Sequence, residues 1–146
     1  MLTRYINCKH TITNEFNEKK LNLKRSERTV ADNLRLEKGL IHEVDYFKEL
    51  SKKYKKVKNI KVLKNLSKEE KIKETNKALK EGYELIYGGW LKSGNWSGEL
   101  DFLEINNEVK SNLGNYSYEI TDTKNSSKVK GDHIYQVCLY SFLLQE

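Results

Sequence analysis

Residues 98–105 read GELDFLEI, and residues 116–124 read YSYEITDTK. Both have the aromatic and β-branched content of strands, yet each carries carboxylates where a strand could have held apolar side chains. Side chains two apart on a strand share a face. Glu99 and Asp101 are therefore expected on one side of their strand, with Leu100 and Phe102 on the other. In the second segment Asp122 and Lys124 share a side with Ile120 and Tyr118 behind them, while Glu119 and Thr121 face away. If the two strands are neighbours, Asp101 and Asp122 converge at one end of a sheet with Lys124 beside them. Two carboxylates with open water positions suit Mg²⁺, which takes hard oxygen ligands and keeps some of its waters. Such an ion polarises a phosphoryl oxygen and activates water. Lys124 would orient that water or offset charge building on the phosphate. The same spacing also fits a surface ion pair between Asp122 and Lys124 on an edge strand, which would be worth little.

Working outward, 84–91 is expected to form a strand that the turn KSGN joins to WSGELDFLEI as a hairpin. The stretch NNEVKSNLGN is a loop, 116–123 is a third strand, and a closing helix begins near Asp132. Upstream, Leu36, Leu40, Val44 and Phe47 recur at helical spacing, with Ile41 and Leu50 widening the stripe. This predicts a helix over about 32–54, followed by a short β-like stretch around 57–63. Ser67 and Glu70 make a capping box for a second helix, and Gly82 stands where a C-terminal glycine belongs. Residues 9–28 are polar and weakly periodic, an irregular arm or short helix. The expected class is α/β (α+β): one domain over 1–146 with an arm over 1–30, and a central mixed sheet flanked by helices. The last helix runs to the end of the sequence without a stop signal, as in a fragment of a longer protein or in a frayed natural terminus.

At 146 residues, 37% hydrophobic and 33% charged, the chain has the length of one domain with a small core and a wide solvated surface. No apolar run approaches the roughly 20 residues of a membrane span, and MLTRYINCKH lacks the apolar centre of a signal peptide. A cytoplasmic location is the expectation. Cys8 and Cys138 make neither a disulfide framework nor a zinc site, and each is expected as a buried thiol. The net charge of +6 is uneven. Lysines dominate residues 48–80 and acids dominate from Glu81 onward. A basic flank beside an acidic cleft suits a polyanion whose cleavage needs a cation, and a solvated lysine-rich helix surface has the same composition.

Two helical segments add polar groups. Gly39 and His42 lie three apart, on a face with Tyr46. A helix glycine often marks a close approach, and His42 could ligate a metal through a neutral imidazole nitrogen or be an ordinary helix residue. Gln136 and Tyr140 lie one turn apart on the closing helix, alongside His133. They could touch a scissile phosphate or nucleobase, or be ordinary helix polarity.

Taken in order, GLIHE, GELDFL, YEITDTK and QVCLY resemble the motifs of RecB-like nucleases of the PD-(D/E)XK superfamily: a G-x-x-H helix, a strand aspartate, a D-x-K strand and a Q-x-x-x-Y helix. The connecting segments are similar to stand-alone RecB-family nucleases of bacteria and archaea, and the resemblance spans roughly 8–145. It implies a restriction-endonuclease-like core and Mg²⁺- or Mn²⁺-dependent cleavage of DNA. It carries metal binding to Asp101, Asp122, the Thr123 carbonyl and His42, and catalysis to Lys124 with Gln136 and Tyr140. Glu99 matches no motif position and is ranked as a water-mediated ligand, and Glu119 as structural. Several relatives hold an iron–sulfur cluster through one early and three late cysteines. Cys8 stands at the early position, but no later cysteines follow the last motif, so no cluster is expected unless the chain is a fragment.

The competing function is a nucleic-acid-binding module that cuts only when joined to a helicase or other domain, which the lysine-rich middle motivates. A small-molecule enzyme lacks support, since neither a glycine-rich phosphate loop nor a G-x-S-x-G elbow is present.

Overall fold

The computed structural model describes residues 2–145. Helices α1 (Leu2–Asn7), α2 (Lys9–Asn17) and α3 (Val30–Ser51) precede β1 (Val57–Asn59) and α4 (Lys68–Lys80). Strands β2 (Leu85–Tyr87), β3 (Trp90–Ser93), β4 (Trp96–Glu99), β5 (Phe102–Asn106) and β6 (Ser117–Thr121) follow, and α5 (Gly131–Gln145) closes the chain. The main sheet has the order β1-β2-β5-β6. The β1–β2 pair is parallel, with α4 in the connection, and the other two pairs are antiparallel. Strands β3 and β4 form a separate antiparallel pair. The chain is thus a mixed α/β structure built on a mixed sheet.

Strand alternation assigns each face a partner. Leu85, Tyr87 and Phe102 pack with Leu50, Tyr46 and Phe47 of α3. Ile86, Leu103 and Tyr118 pack on the other face against Ala78 and Leu79 of α4 and Tyr140 and Leu143 of α5. Leu85, Ile86 and Tyr87 are all buried because β2 is covered on both sides, which a run of consecutive apolar residues requires.

The long hairpin expected over 84–105 divides into two pairs. Gly88 has φ +71°, a left-handed conformation that an extended strand cannot contain, and the chain turns there out of the main sheet. The partner segment turns opposite it, held by Gly88 N–H donating to the Asp101 carbonyl at 2.8 Å and Leu100 N–H to the Gly89 carbonyl at 2.9 Å. The break overturns one face assignment. Leu100 packs on the α4–α5 side and Phe102 on the α3 side, so they do not share a face, and Glu99 and Asp101 do not lie on one continuous strand.

Helix α3 also differs from its expected orientation. Glu43, Tyr46, Phe47 and Leu50 turn inward, whereas Leu36, Leu40, Ile41 and Val44 are exposed. A helix of 22 residues is about 33 Å long, while strands of 3 to 5 residues extend only about 10–17 Å. The sheet therefore covers the C-terminal half of α3 and leaves the rest overhanging. Gly39 marks no close approach, because a Cβ there would meet nothing within 4 Å.

Other expectations are corrected more locally. The arm contains α1 and α2, and Asn7 Nδ2 donates to Asp132 Oδ2 of α5 at 3.2 Å. Both cysteines are exposed; Cys138 lies about 200° around α5 from buried Tyr140. The lysine-rich middle is partly neutralised, since Lys48, Lys52, Lys58, Lys61 and Lys77 each pair with an acid.

The capping box at α4 forms as its residues dictate. Glu70 N–H donates to Ser67 Oγ at 3.3 Å, and Ser67 N–H to Glu70 Oε2 at 2.7 Å. Ser67→Ala is expected to lower stability by about 1 kcal/mol, measured by urea unfolding, with an unchanged denaturant slope.

Candidate active site

The register of β5 and β6 sets Phe102 opposite Thr121, so Asp101 and Asp122 are the next residues outward on neighbouring chains. Thr123 fixes Asp101: its backbone N–H donates to Asp101 Oδ2 at 2.8 Å and its hydroxyl to the same oxygen at 3.0 Å. The acids are close enough for the Asp101 charge to raise the pKa of Asp122.

The Asp122 side chain is only 3% exposed. Its Oδ1 accepts a long hydrogen bond, 3.4 Å, from Gln136 Nε2. Its Oδ2 touches the Lys124 ammonium without the alignment of a hydrogen bond, and is buried with no hydrogen-bond partner. Burial pushes the Asp122 carboxyl above the usual carboxylate range, Lys124 opposes this, and the Asp101 charge adds to it. A buried carboxylate with an unsatisfied oxygen is costly unless a cation compensates it.

Helix α5 forms the third wall. Gln136 and Tyr140 are one turn apart, and Gln136 Nε2 also donates to the Tyr140 hydroxyl at 3.0 Å. Burial raises the Tyr140 pKa, so the phenol keeps its proton at neutral pH. Gly98 on β4 admits this ring: a Cβ there would lie 2.4 Å from Tyr140 Cε1. Beside Asp122, the 124–130 loop and α5 border an open hollow of about 470 Å³ lined in part by Lys124, Lys128 and His133.

The structure thus gathers Asp101, Asp122, Thr123, Lys124, Gln136 and Tyr140. His42 does not join them, being exposed on α3. Its neighbour Glu43 turns inward, 9% exposed, and pairs with Lys61, which lies 3.9 Å from Glu99. The sequence reading missed Glu43 and Lys61. The available signal was that Glu43, Phe47 and Leu50 share a helical face, a stripe obscured by the more hydrophobic one beside it. Glu99 stands by Lys61, and Glu119 accepts from Asn106 Nδ2 at 2.7 Å on the exposed side of β6.

Among the described residues no three His, Cys, Asp or Glu side chains are grouped to hold a metal ion. Two carboxylates do fit a hydrated Mg²⁺ or Mn²⁺, which needs few protein ligands, and Asp122 Oδ2, met only by the mobile end of Lys124, is a hard oxygen donor. No family model, curated protein or solved structure matches the chain.

Proposed function

We propose that this chain is a RecB-like, divalent-metal-dependent deoxyribonuclease with a restriction-endonuclease-like core, hydrolysing phosphodiester bonds in DNA processing or defence. One observation carries the reading: a buried, under-satisfied Asp122 meets Lys124, Gln136 and the Thr123-anchored Asp101. A surface ion pair would need neither the burial nor the glutamine. Asp101, Asp122 and the Thr123 carbonyl would hold Mg²⁺ or Mn²⁺, which supplies Lewis-acid polarisation of the phosphoryl oxygen and a more nucleophilic water.

The chain's own groups do the positioning. Thr123 holds one Asp101 oxygen, which aims the other. Gln136 holds Oδ1 of Asp122 and leaves Oδ2 for the ion. Lys124 is 32% exposed, and its flexible stem can turn the ammonium from Asp122 to a phosphate oxygen, where it offsets charge in the transition state. Tyr140 offers a protonated hydroxyl and a rigid ring beside the reacting groups. His42 does not contribute in this arrangement.

A second reading, a DNA-binding module that cuts only with a helicase or other partner domain, draws on the same ion pair: Lys124 already neutralises Asp122. Incubation of the purified chain with single- and double-stranded DNA separates the two. The nuclease reading expects products with Mg²⁺ or Mn²⁺ and none with EDTA. Salt-sensitive binding without products in either metal would favour the second.

A further inference from the structure

The β3–β4 hairpin extends the candidate active site on one side. Its register pairs Leu91 with Gly98 and Ser93 with Trp96. On a pleated strand Gly98 and Trp96 project from the same face. That face is the one toward α5, because Leu91 shares the core with Tyr140 and Gly98 abuts the Tyr140 ring. Trp96 lies two residues beyond Gly98, about 6–7 Å along the strand, and is 49% exposed. Among the described residues, no aromatic ring or ammonium lies against its indole. Trp90, on the opposite face of the hairpin, instead has the Lys68 ammonium 5.4 Å from its ring.

We propose that Trp96 is a stacking platform for an unpaired base of a single DNA strand that runs on along α5 to Asp122 and Lys124. Three features converge on this ligand. The two-residue turn at Gly94 and Asn95, with Gly94 at φ +51°, presents the indole on a short, well-defined support. Contacts run without a gap from Gly98 to Tyr140, from Tyr140 to Gln136 and from Gln136 to Asp122, so one strand lying along this surface reaches both Trp96 and the acids. Exposed Lys128 and Lys130 beyond Asp122 supply positive charge at the far end of such a strand. An unpaired base has a face to offer an indole, whereas in a duplex both faces are taken by neighbouring bases. Stacking of this kind tolerates any sequence. The inference deepens the nuclease reading and rests on it for the identity of the ligand as DNA.

Indole emission tests it with the full chain, in EDTA so that nothing is cut, using a short oligothymidylate as probe. Quenching is expected in the natural protein and in Trp90→Phe, and should be lost in Trp96→Ala. The latter, altering an exposed side chain, should keep its circular dichroism and bind the oligonucleotide about tenfold more weakly, the equivalent of about 1.4 kcal/mol. A blunt duplex should quench less than the single strand. Quenching that survives in Trp96→Ala, equal quenching by the duplex, or unchanged affinity overturns the proposal. The parent reading fails separately: quenching by single strands with no Mg²⁺-dependent cleavage keeps the platform and removes the nuclease, while cleavage with a silent Trp96 does the reverse.

Discussion

Asp122→Ala should reduce metal-dependent DNA cleavage by about 10³-fold or more, since the Lewis-acid contribution of a bound ion amounts to several kcal/mol. The variant removes the oxygen that meets Lys124 and the one that accepts from Gln136, leaving the two groups without their common partner. The measurement is the initial rate of product formation on a labelled oligonucleotide, with circular dichroism confirming the fold. A rate within about tenfold of the natural protein would remove Asp122 from the mechanism.

The same residue has a stability signature of opposite sign. Burial raises the folded-state pKa of Asp122 while the unfolded chain keeps the usual carboxylate value near 4. Between those two values the folded state binds more protons than the unfolded one, so this group's contribution to stability falls as pH rises through the window. Asp122→Asn, which cannot ionise, should therefore melt higher than the natural protein at neutral pH in EDTA, and the gap should close on acidification toward pH 4. Mg²⁺ should raise the melting temperature of the natural protein and not of Asp122→Asn. A natural protein more stable than the Asn variant at neutral pH without metal would show that Lys124 overcompensates the burial.

Phe102→Ala carries the largest expected loss of stability, about 3–5 kcal/mol. The side chain is fully buried. Its ring stacks on Tyr87 with centroids 5.0 Å apart, meets Tyr46 edge-on at 5.3 Å and lies 6.5 Å from Phe47. It therefore joins α3 to the sheet, and the cavity it leaves cannot collapse without moving the helix. Against a typical total of about 5–15 kcal/mol, a fall of about 10 °C in melting temperature is expected. Phe102→Leu, which keeps most of the volume, should lose markedly less. A loss below about 1 kcal/mol in the Ala variant would mean that α3 is not docked through this ring. Phe102 directly follows Asp101, so the Ala variant should also lose activity through misplacement of that carboxylate.

Much of this architecture is written in local pattern. The capping residues Ser67 and Glu70 form their box because both partners lie within one turn of each other. The acid-bearing segments pair as neighbours, and Gln136 and Tyr140 meet because helical spacing leaves them adjacent. What stayed illegible depended on the shape of a distant partner. Periodicity in α3 showed an apolar stripe but not that the sheet is too short to cover it, so Glu43 and not His42 faces inward. The apolar residues from Leu85 to Leu91 concealed a break that only the left-handed Gly88 and its pairing with Asp101 reveal.

Residue order alone determined the main helices and strands and the cap at Ser67, because these follow from interactions within a few residues. The tertiary structure decided which faces are covered and how deeply Asp122 is buried. Burial is set by the extent and position of surfaces far apart in the chain, and no local repeat encodes them.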